Sequence, residues 1–264
     1  MAITRHYGTL GLANQAQLSE GYDAVADHMW MEPRFYTAMA AKLQQAGISR
    51  AERIIDVGCG TGPMLAALAR AGFARLSGVD FSARCVEKTR LAVPQAQVWQ
   101  HDILDGPLPP HDVILMTEVI EHVRDPLRAL ANVRDSLAPN GLFVLSFPNR
   151  WAYWPLYYAN PVRNLLPRTW QRARSAVDFL TIPYEMRSTQ PIDHAYSVPE
   201  VRTFLAQAGW DILAEDGLVL WPMLRVPQLP WTYAALDVLE GSLGRVWPRL
   251  GCYRYLFRCV PRRR

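Results

Sequence analysis

Hydrophobic positions along the chain follow two alternating rhythms. Short apolar runs rich in β-branched residues predict buried strands over 53–57, 75–80, 97–100, 112–117 and 141–147. Between them, apolar residues recur three and four apart, which predicts helices over 63–71, 82–91 and 126–137. The last of these opens at Asp125-Pro126, a capping carboxylate followed by a proline that suits the first turn. It stops at Ala138-Pro139-Asn140-Gly141, a turn signal. Ahead of the first strand, Arg34 to Ala46 reads as an amphipathic helix closed by Gly47. Beyond residue 190, Val198 to Ala208 predicts a further covering helix and Trp210 to Leu220 a sixth strand. Cys252 to Val260 reads as a seventh, antiparallel strand at the sheet edge. Strands alternating with helices imply an α/β fold, a doubly wound and mostly parallel seven-stranded sheet with helices on both faces.

One domain over residues 1–264 accommodates this pattern. Residues 1–50 are expected to form a helical N-terminal cover. Two segments fall outside the minimal sheet. Residues 150–190 leave the carboxyl edge of the sheet carrying Trp151, Tyr153, Trp154, Tyr157 and Tyr158 among prolines and arginines. They are expected to form a cap insertion with an aromatic wall suited to a flat or greasy ligand, or an ordinary packed insertion. Residues 221–249 form a second insertion, with Trp221, Trp231 and a helix predicted from Thr232 to Val246. Tryptophan and tyrosine beside arginine suit peripheral contact with a membrane interface; oligomer contact or core packing are the alternatives.

Composition narrows the setting. Hydrophobic residues make up 50% of the chain, enough for a sizeable core. No uncharged apolar run is long enough to span a bilayer, and the first residues lack the basic start and apolar stretch of a secretion signal. Cys59, Cys85, Cys252 and Cys259 have neither metal spacing nor the density of a disulfide scaffold, so a reducing, cytoplasmic setting is expected. The net charge of +4 is unevenly placed: Arg245 to Arg264 holds seven arginines and no acid. Such a segment suggests anionic partners, whether phosphate, lipid headgroup or nucleic acid.

The chemistry concentrates at Ile54-Ile55-Asp56-Val57-Gly58-Cys59-Gly60-Thr61-Gly62. A buried strand breaks into glycines at alternate positions, and Pro63 then opens a helix. Backbone N–H groups at that helix start, beside a loop a ligand can approach closely, make a nucleotide-type site. The dinucleotide pattern Gly-x-Gly-x-x-Gly fails here, because Pro63 stands at its third glycine. The run instead resembles motif I of the class I S-adenosylmethionine-dependent methyltransferases, which Asp56, Gly58, Gly60 and Gly62 fill without a gap. Three further pieces come after it in order: Leu76 to Ser82 with Asp80 at a strand end, Val98 to Ile103 with Asp102, and His111 to Glu118.

The resemblance implies a Rossmann-like fold and S-adenosylmethionine as cofactor. It implies cofactor contacts at Asp56, Gly58, Cys59, Gly60, Gly62, Asp80, Phe81, Asp102, Ile103, Thr117 and Glu118. Within these, Asp80 would accept the ribose hydroxyls, Asp102 would hold the adenine amino group and Ile103 would donate its backbone N–H. Residues 118–123, Glu-Val-Ile-Glu-His-Val, with Asp125-Pro126 after them, look like the ubiquinone-biosynthesis O-methyltransferase group over about residues 50–150.

In a helical turn, Glu118, Glu121 and His122 would share one face. Two mechanisms are then open. Glu121 can orient His122 as a general base, making these two the catalytic residues. Alternatively Glu118, Glu121, His122 and a returning His194 can bind Mg²⁺ or Mn²⁺, as a similar cluster does in small-RNA terminal 2′-O-methyltransferases. Three functions are compatible with these features: O-methylation of a small-molecule or lipid-like acceptor, RNA 2′-O-methylation at a Glu-Glu-His metal site, and a non-catalytic scaffold. The aromatic cap favours the first. RNA is the weaker partner, because no added RNA-binding module is visible. The sequence is silent on oligomeric state and on the identity of the acceptor.

Overall fold

The hydrophobic runs are stacked into one twisted sheet. The structure, a computed structural model, describes residues 20–24, 26, 33–149, 169, 194, 196–220 and 252–262. The strands are β1 (Arg53–Val57), β2 (Arg75–Asp80), β3 (Gln97–Gln100), β4 (His111–Thr117), β5 (Leu137–Pro148), β6 (Trp210–Leu220) and β7 (Cys252–Pro261). Their spatial order is β3-β2-β1-β4-β5-β7-β6. The first five pair in parallel, and β7 runs antiparallel to both β5 and β6. The helices are α1 (Pro33–Gln45), α2 (Pro63–Arg70), α3 (Ala83–Ala92), α4 (Pro126–Asp135) and α5 (Val198–Gln207), and residues 20–24 are also helical.

Central strands are buried on both faces, which is why they read as continuous apolar runs rather than alternating ones. On β1, Ile54 joins one core and Ile55 the other. The Ile54 face packs Phe35, Met39 and Leu43 of α1 against Leu65 and Leu68 of α2. The Ile55 face packs Leu130 and Val133 of α4 against Val201 and Leu205 of α5. Truncating one fully buried leucine such as Leu65 to alanine would cost about 2–5 kcal/mol. The strand order reverses between β1 and β4, which leaves a crevice at their carboxyl ends, where α/β sheets bind ligands.

Two expectations change. Cys252 to Val260 is not an edge strand; β7 inserts between β5 and β6, and β6 takes the edge. The reason is two-sided burial: Tyr255, Phe257 and Cys259 face one core and Leu256 the other. The turn at residues 138–141 does not end an element, because β5 begins at Leu137. The irregularity is absorbed as a register shift opposite His111 and Val113, with Asn140 at φ 62°. The arginine-rich C-terminal run is also partly consumed within the chain. Arg254 pairs with Glu118, Arg258 with Asp216 and Arg262 with Asp211. The insertions expected at 150–190 and 221–249, including the Thr232–Val246 helix, lie outside the described residues apart from residue 169. Among the described residues no helix is long and apolar enough to cross a membrane.

Candidate active site

The glycine loop is shaped by what would collide with it. Gly58 and Cys59 both donate their N–H to the Val79 carbonyl, at 2.8 and 2.9 Å, so the chain turns across the end of β2. Gly58 has φ 71°, and a Cβ there would stand 2.6 Å from Val119 Cγ2. Gly62, at φ 86°, caps the start of α2 just before Pro63. Thr89 on α3 donates to the Gly60 carbonyl at 2.7 Å and fixes the loop from behind. Cys59 is buried, and burial pushes its thiol well up, as do the charges of Asp80 and Asp56. It is an unreactive small residue in a tight place.

Two carboxylates converge on this loop. Asp80 ends β2 and is 8% exposed. Its Oδ2 accepts the Gly60 N–H at 2.8 Å and its Oδ1 accepts the Ser82 N–H at 2.9 Å. Burial raises its pKa to about 6 against the lowering by those two N–H groups, and the charge of Asp23 adds to the rise. Asp56 on β1 is 2% exposed, and its Oδ1 has no hydrogen-bond partner among the described residues. Burial pushes its pKa well up, helped by the Asp80 charge. A buried carboxylate oxygen left without a donor is costly, and it marks where a ligand N–H or ammonium would be welcome.

Neighbouring strands bring the adenine-side candidates to the same edge. The register Asp80↔Gln100 sets β3 beside β2, with Asp102 two residues beyond. Asp102 Oδ1 accepts the Leu104 N–H at 2.9 Å, and Oδ2 lies 3.9 Å from Arg124. Ile103 is buried and its carbonyl accepts from Asn132 at 2.6 Å. Phe81 comes directly after Asp80 and offers its carbonyl to Gln100 at 2.9 Å.

The end of β4 separates what the sequence grouped. Thr117 is buried, and its Oγ1 is without a partner among the described residues. Glu118 adopts φ 55°, so the chain kinks before a short 3-10 turn over Ile120–His122. The expected single face therefore does not form. The Glu118 carboxylate accepts from Ser146 Oγ at 2.8 Å and from Arg254 Nε at 3.0 Å, facing the β5–β7 side. Glu121 and His122 do stay together, with Oε1 and Nε2 3.8 Å apart. His194 does return to this turn, but by its backbone, donating its N–H to the Glu121 carbonyl at 2.8 Å. Among the described residues no three His, Cys, Asp or Glu side chains gather to hold a metal ion. Glu118, Glu121, His122 and His194 are thus not gathered as a metal quartet in this structure, and Arg254 holds the Glu118 carboxylate.

Three residues near the site were missed. Tyr22 sets its ring edge-on to Phe81 at 4.9 Å and lies 6.3 Å from His122, so the N-terminal segment reaches both halves of the edge. Asp23 Oδ1 accepts from Ser82 Oγ and, at 3.2 Å, from the Arg84 N–H at the start of α3. Tyr196, bridged to Asn149, has its phenol pushed up to about 12 by burial and by the charges of Glu121 and Glu200. Tyr22-Asp23 gave only a faint signal, an aromatic-acid pair in a stretch without strong periodicity. Tyr196 lies beyond a segment whose path a sequence does not fix.

Comparisons with known proteins agree with this arrangement. A family model described as a methyltransferase domain matches residues 31–215. A ubiquinone biosynthesis O-methyltransferase of Neisseria meningitidis is 31% identical over 223 residues, covering 80% of this chain and 78% of that protein. The protein of the same description from Actinobacillus pleuropneumoniae is 33% identical over 110 residues, 38% of this chain, and the chain spans 47% of its length. The crystal structure of magnesium protoporphyrin IX methyltransferase from Synechocystis, with S-adenosylhomocysteine bound, superposes with a TM-score of 0.54 at 15% identity. That match covers 94% of this chain and 88% of the other.

Proposed function

Because the chain belongs to the class I S-adenosylmethionine-dependent methyltransferases, we propose that it methylates an oxygen of a small, lipid-like acceptor, with Glu121 and His122 handling the proton. The observation that carries this reading is the placement of His122 beside the buried Glu121, on the turn that leaves β4 next to the glycine loop. Two relatives of matching sequence are named as ubiquinone biosynthesis O-methyltransferases, which supports an acceptor of that chemical kind.

The residues present fit the donor. Asp80 would accept the two ribose hydroxyls, replacing the loop N–H groups it now holds. Asp56 and Thr117 supply buried oxygens without partners among the described residues, suited to the amino-acid end. Phe81 and Ile103 would flank the adenine and Asp102 would take its amino group. Gly58, Cys59, Gly60 and Gly62 would let the backbone approach closely, while Glu118 contributes the turn rather than its carboxylate. When bound, S-adenosylmethionine supplies a methyl group on a positive sulfur. The chain's own part is to align the acceptor oxygen in line with that methyl and to remove the oxygen's proton. The His122 imidazole would take the proton, and Glu121, whose Oε1 lies 3.8 Å from Nε2, would stabilise the imidazolium that forms. Tyr22 and Tyr196 would wall the acceptor side. Peripheral membrane contact through residues 221–249 would bring a lipid-like acceptor within reach in the cytoplasm.

The test is to supply the protein with S-adenosylmethionine labelled in its methyl group together with a host extract. Label partitioning into the organic phase supports the reading. Label retained in RNA would overturn it.

A further inference from the structure

The turn that carries His122 is held from the opposite side of the sheet. Glu118 sits at φ 55°, a left-handed conformation that side chains other than glycine adopt at a cost, so something must hold it there. Its backbone N–H donates to the Ser146 carbonyl at 3.1 Å, and its carboxylate is gripped by Ser146 Oγ on β5 and by Arg254 on β7. Arg254 is 2% exposed, and its guanidinium carbon lies 4.3 Å from the centre of the Phe35 ring on α1. One cation thus ties α1, β7 and the turn after β4.

The residues just past Glu118 make this grip consequential. Val119 packs directly over Gly58, so close that no Cβ fits between them. Three residues further on stands His122, beside Glu121. Moving Glu118 would shift the wall of the glycine loop and the candidate base together.

We propose that Arg254 is a positioning residue of the methyltransferase site, acting through Glu118 to fix the turn that shapes the glycine loop and presents His122. This rests on the reading of this sheet edge as the cofactor site. The electrostatics support a role in geometry rather than in net stability. A buried ion pair gains little overall, whereas removing one member strands a charge. Replacing Arg254 removes the counter-charge 3.0 Å from the Glu118 carboxylate and loosens the turn. Replacing Glu118 breaks the same contact from the other end.

The experiment measures S-adenosylhomocysteine affinity by titration calorimetry for wild type, Arg254→Met and the double variant Glu118→Gln/Arg254→Met. Wild-type binding establishes the cofactor site; a wild type that does not bind would defeat that reading instead of this one. Arg254→Met should weaken binding at least tenfold, and the double variant should bind no worse than the weaker single variant, because both residues act through one contact. Should Arg254→Met fail to fold, Glu118→Gln takes its place. It breaks the same contact from the other end, so it should lose affinity similarly. Wild-type affinity in the single variants, with only the melting temperature lowered, would overturn the proposal. Losses that add in the double variant would overturn it too, because Arg254 would then act by a route other than Glu118.

Discussion

Replacing Asp80 by asparagine should strengthen the fold and weaken the cofactor site. Asp80 is almost wholly buried, and burial raises its pKa from 3.8 to about 6. The native state therefore holds a proton that the unfolded chain has released between pH ~4 and ~6. Stability falls as pH rises through that window and levels off above it. A shift of about two units corresponds to roughly 3 kcal/mol of lost stability at neutral pH. Asparagine removes that penalty but keeps only one acceptor oxygen, so either the Gly60 or the Ser82 N–H loses its bond, at about 1–1.5 kcal/mol. The net expectation at pH 7.5 is a gain of roughly 1–2 kcal/mol, read as a higher melting temperature or urea midpoint. Below pH ~4 the advantage should vanish. Cofactor affinity moves the other way. Losing a charged acceptor for two ribose hydroxyls should cost about 2–4 kcal/mol, a factor of roughly 30 to 1,000. In the wild type, S-adenosylhomocysteine affinity should also decline as pH falls below about 6, while in Asp80→Asn it should lose that dependence. Denaturant melts and calorimetry across pH 4–8 check both halves. A variant that is less stable at pH 7.5 yet binds as well as wild type would show both roles assigned to Asp80 to be wrong.

Gly58→Ala should destabilise the protein by about 1–3 kcal/mol in urea melts, since its Cβ meets Val119 at 2.6 Å and φ is 71°; shortening the obstacle with Val119→Ala should return part of the loss. Tyr22→Ala should weaken S-adenosylhomocysteine by about 1 kcal/mol in calorimetry, by removing the edge contact that backs Phe81. Methyl transfer should be insensitive to chelator, because Arg254 occupies the Glu118 carboxylate that a metal would need; loss of transfer in EDTA and its return with Mg²⁺ or Mn²⁺ would contradict this.

The sheet and the shape of the glycine loop were legible because both obey local rules. Ile54 to Val57 had to be a buried strand, and three glycines before Pro63 had to be a close-approach loop. Asp125 and Ser82 cap their helices as their side chains allow, by accepting the Arg128 and Cys85 N–H groups. The parts that were not legible depend on contacts between segments far apart in the chain. The place of β7 in the sheet comes from burial of both its faces, which Arg254 and Arg258 concealed. Glu118 was grouped with Glu121 and His122 on helical spacing, yet Arg254, 136 residues away, draws its carboxylate to the other side. Tyr22 and Asp23 meet Phe81 and Ser82 just past the end of β2, contacts that no periodicity announces.

The proposed function depends above all on the identity of the atom methylated and on the residue that deprotonates it. An isotope-labelled methyl donor, supplied with host extract and tracked by nuclear magnetic resonance of the extracted product, reports both. The expected result is a methoxy signal in an organic-soluble product, strongly reduced in His122→Ala while that variant still binds S-adenosylhomocysteine. A methyl signal on nitrogen or carbon would contradict O-methylation, and a methoxy signal undiminished by the His122 substitution would contradict His122 as the base.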